Sequence, residues 1–218
     1  MQQRPRINKK LVASFIAVLV LIVGIVMLGN YLNSQPVQVD FENVTKVDVY
    51  DAQPDQDNPS PVATITSSGS SVRLQKDTRH FFAYEGAEGY ASGTTEFTPT
   101  GQENATVTIS PYFSDAKLDA LLDDELDAIR QTLRTKYGSP VNDYELQRGK
   151  LYKFGEWYGT TLKYVGDDIF NSDTLRVVLG KDDAGTWSVA TDPPSISLSK
   201  FLFPDVPVEI LRDVNKLK

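Results

Sequence analysis

The stretch LVASFIAVLVLIVGIVMLG, residues 11–29, holds no charged residue and stands directly behind MQQRPRINKK. No other segment restricts so strongly what the chain can fold into. As a helix rising about 1.5 Å per residue it extends roughly 28 Å, close to the hydrocarbon thickness of a bilayer. In lipid every backbone N–H and C=O must pair internally, so a run rich in Val and Ile would still be helical. Arg4, Arg6, Lys9 and Lys10 precede it, and the next basic residue is Lys46. That asymmetry predicts a cytoplasmic tail over 1–10, a single transmembrane helix over 11–29 and an extracytoplasmic body. The bilayer is then the first expected partner, with Tyr31 at the outer interface. The rival, a cleaved signal peptide, needs an apolar region of about 7–15 residues and a small-x-small cleavage site. The exit MLGNYLNSQP offers no such site, and the absence of cysteine excludes a lipid-modified cysteine anchor.

All 29 acidic residues and 18 of the 22 basic ones lie beyond residue 30, a net charge of −11 for that part. Such a surface repels phosphate backbones, which argues against nucleic acid as a partner. With no cysteine, disulfides, thiol chemistry and cysteine-based metal sites are excluded, and the body must hold together by burial and hydrogen bonding.

Residues 30–36, NYLNSQP, read as a polar spacer. From 37 to 111 the pattern is β. VTKVDVY (44–50), PVATIT (61–66), SVRLQ (71–75), HFFAYEG (80–86), GTTEFT (93–98) and NATVTIS (104–110) are separated by clusters of Gly, Pro, Asn and Asp. Short strands at that spacing predict a small antiparallel sandwich. An early Val-rich strand, the entry into EGAEGY (85–90) and then TTEFTPTGQENATVTI resemble a PEGA-type surface β-domain, with Gly89 and Tyr90 at its Gly-Tyr position. That resemblance implies an envelope-associated, non-catalytic module.

Over 112–218 the spacing changes. Leu118, Leu122, Leu126, Ile129, Leu133 and Tyr137 recur on one helical face of SDAKLDALLDDELDAIRQTLRTKYG (114–138), with Ser114 as N-cap and Gly138 as the stop. Asp123, Asp124, Glu125 and Asp127 read as its solvated face. YELQRGKLYKFGEWYGTTLKYV (144–165) and DTLRVVLGKDDAGTWSVAT (173–191) read as strands, the latter a hairpin around Asp183-Ala184-Gly185. PPSISLSKF (193–201) reads as a further strand. Asp205 to Leu217 reads as a terminal helix with Pro207 in its first turn and Val208, Leu211, Val214 and Leu217 facing inward. The expected fold class is thus one transmembrane helix, a small all-β sandwich, and an α+β domain with a long helix on an antiparallel sheet. The last is similar to NTF2-like or cystatin-like cones by fold analogy. The layout as a whole is similar to cysteine-free anchored ectodomains of small-genome bacteria.

Few residues carry a chemical signal. His80 is the only histidine, so a multi-histidine metal site is excluded; alternation in RHFFAY gives it a structural or surface role. Ser197 and Lys200 fit S-x-x-K, but the surroundings alternate like a strand, which separates the two side chains, and companion motifs are absent. Asp51, Asp55, Asp57 and Asn58, and Asp167, Asp168, Asn171 and Asp173, do not follow the calcium-loop spacing and read as turn formers. Asn43 and Asn104 begin glycosylation sequons. Trp157, Tyr158, Tyr164 and Trp187 are the candidate contacts for a protein or glycan partner, set against core packing, with Trp157 and Tyr158 on opposite sides of a strand. These residues imply no catalytic group, cofactor or metal. The expected role is a non-enzymatic binding or structural module of the cell envelope. The rivals are an assembly component of a secretion or conjugation machine and a carboxylate-based envelope hydrolase.

Overall fold

The computed structural model describes residues 9–51, 60–102, 104–138, 143–166 and 174–217; side chains of 9–17 and of Val26 lie outside that description. The chain divides into two compact units, one of residues 1–86 with 92–110 and one of residues 87–91 with 111–218.

The first unit begins with helix α1, Lys9–Leu32. The expectation of a membrane-spanning segment over 11–29 is corrected here: among the described residues no helix is long and apolar enough to cross a membrane. The side chains at 11–17, within the expected span, lie outside the description, as do residues 1–8 of the expected tail. A single-pass architecture is therefore not part of the fold described here.

The polar spacer is also replaced. Strand β1, Ser34–Phe41, starts two residues after α1 ends. The last turn of a helix leaves carbonyls without intrahelical donors, and here side chains from elsewhere supply them. Arg73 Nη2 and Ser34 Oγ donate to the Tyr31 carbonyl at 3.2 and 3.0 Å, and Lys76 Nζ donates to that of Leu32 at 3.2 Å. The Arg73 guanidinium also lies 3.7 Å from the centre of the Tyr31 ring.

Strands β2 (Val44–Tyr50), β3 (Ala63–Ile65), β4 (Ser70–Gln75), β5 (His80–Gly86), β6 (Gly93–Phe97) and β7 (Ala105–Ile109) complete this unit. They form a three-stranded sheet, β4-β1-β7, and a four-stranded sheet, β3-β2-β5-β6. Alternation in β1, β2 and β7 directs Val37, Val39, Val47, Val49, Val107 and Ile109 into one shared core with Phe82 and Leu74. The sandwich is not purely antiparallel as expected, because β1 and β7 run parallel with Val39 opposite Val107.

The second unit is built on helix α2, Asp115–Tyr137. Ser114 caps it by accepting from the Lys117 N–H at 3.3 Å, and the Gly138 N–H closes the other end on the Arg134 carbonyl at 2.9 Å. Strands β8 (Tyr144–Leu146), β9 (Lys150–Tyr152), β10 (Trp157–Tyr164), β11 (Thr174–Lys181) and β12 (Trp187–Val189) form an antiparallel sheet ordered β12-β11-β10-β8, with β9 also on β10. Leu118, Leu122, Ile129 and Leu133 press onto one sheet face, against Tyr158, Leu162, Val177 and Leu179. Val178 points the other way, into a second core formed with Leu198, Phe203, Val206 and helix α3, Val208–Val214. Cover on both faces explains why β10 is buried continuously from Tyr158 to Leu162 rather than alternately.

Two expectations for this layer are corrected. PPSISLSKF is not a strand: Ser195 makes a single bridge to Arg176, and bends and turns follow. Side chains satisfy its backbone instead, Asn215 bonding both the N–H and the carbonyl of Leu198 at 2.8 and 2.7 Å, and the Arg176 guanidinium donating to the Ile196 carbonyl. The terminal helix is shorter than expected, with Pro207 as its N-cap, and Val208 faces solvent while Ile210 takes the inward place.

Candidate functional site

The site with the most developed geometry lies in the second unit, between the C-terminal half of α2 and β12. A groove of ≈ 530 Å³ is lined by Gln131, Thr132, Thr135 and Lys136 from the helix and by Trp187, Ser188 and Val189 from the strand. Both walls follow from the fold. The stripe that buries Ile129 and Leu133 leaves Gln131 and Thr135 exposed beside them. β12 is the end strand of its sheet, so one of its edges has no strand neighbour among the described residues.

The register fixes which backbone groups use that edge. Ser188 pairs with Gly180, and the Ala190 N–H donates to the Val178 carbonyl at 2.9 Å, so these two residues turn toward β11. In an antiparallel ladder alternate residues face alternate neighbours. The N–H and C=O of Val189 therefore face away from β11.

Trp187 forms the floor. It is 5% exposed, and its Nε1 donates to Glu125 Oε2 at 2.7 Å, while the other carboxylate oxygen accepts from Lys181 Nζ at 2.6 Å. Burial alone would raise the Glu125 pKa, but the hydrogen bonds from Lys181 and Trp187 and the Lys181 charge outweigh it and hold the carboxyl below its ordinary value. Glu125 is thus an exception to the solvated acidic face on which Asp123, Asp124 and Asp127 are exposed. Along the same helix Lys136 Nζ meets Asp192 Oδ2 at 2.7 Å, which lowers the Asp192 pKa and ties the helix end to the segment that follows β12.

The four aromatics singled out from the sequence do not gather at one place. Trp187 lies under the groove. Tyr158 is fully buried and donates its hydroxyl to the Arg148 carbonyl at 2.9 Å. Trp157 is half-buried on the opposite sheet face, against the core around α3. Tyr164 is half-buried and stacks edge-on with Tyr144, ring centres 5.4 Å apart. The threonines of α2 and the edge of β12 were not singled out, because short polar residues beside a leucine stripe look like any solvated helix face.

His80 is buried in the first unit, with Nε2 3.1 Å from the Gln75 carbonyl and Nδ1 2.8 Å from Asp51 Oδ1. Asp55, Asp57 and Asn58 of the same acidic loop, and the second cluster at 167–173, lie outside the described residues. Lys200 donates to the carbonyls of Pro204 and Val206 at 2.5 and 2.9 Å. Asn43 and Asn104 adopt φ of 57° and 61°, the left-handed turn conformation that asparagine tolerates. Among the described residues no group of three or more His, Cys, Asp or Glu side chains could hold a metal ion. Comparison with protein-family models, with curated proteins and with solved structures finds no match to this chain.

Proposed function

We propose that the second unit is a non-enzymatic binding module that takes up an extended peptide segment of a partner protein in the groove between α2 and β12. The observation that carries this reading is the outward N–H and C=O of Val189 at an end strand with a helix alongside. A peptide added there would continue the ladder through backbone hydrogen bonds, and its alternate side chains would meet Val189 and the α2 threonines. An edge of three residues is too short to recruit strands indiscriminately, so selectivity rests on the groove walls. A glycan platform fits less well, because stacking needs an open ring face and Trp187 is buried with its N–H already donated.

The test is selection from a displayed random-peptide library on the full chain. Extended, β-prone peptides are expected. They should lose binding to Thr135→Trp, which fills the groove from an exposed position, and to Val189→Pro, which removes the outward donor. Both variants should keep circular dichroism and an unfolding temperature close to the parent. Recovery of no peptide, equal binding to both variants, or self-association through this edge instead of peptide binding overturns the reading.

A further inference from the structure

The β-sandwich unit has an open sheet edge at β7, whose residues read Ala-Thr-Val-Thr-Ile. β7 is an end strand, and β1 is its one strand neighbour among the described residues. The ladder shows which of its backbone groups are used. The Ile109 carbonyl accepts from the Glu42 N–H at 3.2 Å, just past the end of β1, so Ile109 turns toward β1, and Val107 and Ala105 do the same by alternation. Thr106 and Thr108 therefore point their N–H and C=O groups away from β1, and among the described residues no hydrogen bond meets those groups. Both threonines are exposed, whereas Val107 and Ile109 are buried in the sandwich core. Proteins blunt such edges with charge, proline or a bulge. The other end strands of five or more residues follow that rule, β4 through Arg73 and β6 through Glu96. β7 has none of these devices, and residues 104–114 hold no charge in a chain of net charge −7.

Any strand can complete an open edge, but this one is its own complement. We infer that a second copy of the chain pairs with it, β7 against β7, antiparallel about a two-fold axis at Val107. In that register Thr106 of one copy lies opposite Thr108 of the other, and every outward group is used in four hydrogen bonds across the axis. Both pairs set threonine against threonine, a favourable cross-strand combination. The neutral stretch lets two acidic bodies meet without setting carboxylates opposite each other over the paired residues. The left-handed turn at Asn104 and the missing donor of Pro111 confine the pairing to this strand. Five residues per copy is far less than the roughly 20–30 residues a side of a standard interface, so the dimer is weak and forms at high micromolar concentration. The contact is independent of the α2–β12 groove.

The chain has no cysteine, so single substitutions report the register directly. Full-length Thr106→Cys and Thr108→Cys chains are mixed and oxidised with diamide. The mixed disulfide should exceed either like-with-like product at least about fivefold, because opposite positions in an antiparallel pair lie within bridging range and positions offset by two residues do not. Sedimentation equilibrium of the parent should show a dimer that grows between about 10 µM and about 1 mM. Thr106→Lys combined with Thr108→Lys should weaken it at least about tenfold, since like charges then face each other across the axis. Thr106→Lys combined with Thr108→Glu should restore it, since each introduced ammonium then faces an introduced carboxylate of the other copy. Val189→Pro, which blocks the β12 edge, should leave it unchanged. The inference is overturned by a mixed disulfide at no more than its statistical share, by a parent that stays monomeric throughout that range, by self-association that survives the two lysines, or by its loss in Val189→Pro.

Discussion

Glu125 bonds a cation with one oxygen and an indole with the other, and both partners come from the far side of the second unit's core. Hydrogen bonds to a charged group contribute about 1.5–3 kcal/mol each when partly shielded. Glu125→Ala should therefore lower the unfolding free energy by about 2–3 kcal/mol in urea titrations, since it leaves the Trp187 N–H buried and unmet. Glu125→Gln keeps an acceptor for the indole and should lose less. The pH dependence has a definite sign. A carboxyl held below its ordinary value contributes stability above about pH 4.5 and loses it as pH falls through the lower native value. The gap between parent and Glu125→Gln should accordingly be full at pH 7 and close in acid; a gap that widens in acid would contradict the pairing. None of this was legible in DDELD, where four neighbouring acids differ only in which one the helix turns toward Lys181. The opposite-face relation of Trp157 and Tyr158 was legible, because alternation along a strand is a local property.

Elements were legible where their backbone partners lie in a regular ladder or within one helix. VTKVDVY and the α2 stripe are such cases, each marked by periodicity that buries one face. Two of the failures have a common cause. The expected spacer at 30–36 and the expected strand at 193–201 both have backbone groups satisfied by side chains remote in sequence, Arg73 and Lys76 in one case and Arg176 and Asn215 in the other. No window on the sequence contains both partners. The docking of α3 shows the same non-local logic at Gly159 in β10, where a Cβ would run into Val214 and come within 3.2 Å of the Tyr152 ring. Gly159 is there because the helix approaches the strand too closely for any side chain, not to permit a special backbone angle. Gly159→Ala should cost about 2–3 kcal/mol through overpacking. Adding Val214→Ala should recover part of that loss, so the double variant should be more stable than the sum of the single effects. Strict additivity would show that α3 does not rest on Gly159.

Across the whole chain, the division into two units does not follow the order of the sequence. The EGAEGY segment reads as part of the β-sandwich, yet residues 87–91 belong to the second unit. Their bonds explain it. The Ala91 N–H donates to the Tyr112 carbonyl at 2.9 Å, and the Gly89 carbonyl accepts from the Ser114 N–H at 3.0 Å, directly at the start of α2. Tyr90 meets Phe113 edge to face with ring centres 5.3 Å apart, and Lys117 Nζ lies 3.5 Å from the centre of the Phe113 ring. The segment therefore orders the first turn of the helix that carries the second unit's core, although it is separated from that unit in sequence by β6 and β7. A fragment of residues 111–218 retains α2, the sheet and α3 but loses these contacts, whereas one of residues 87–218 keeps them. Two hydrogen bonds and an aromatic pair amount to on the order of 2–3 kcal/mol. The shorter fragment should thus melt several degrees below the longer one in thermal circular dichroism. Tyr90→Ala in the longer fragment should account for only part of the difference, since the backbone bonds remain. Equal melting of the two fragments would return residues 87–91 to the sandwich and leave α2 to be capped by Ser114 alone.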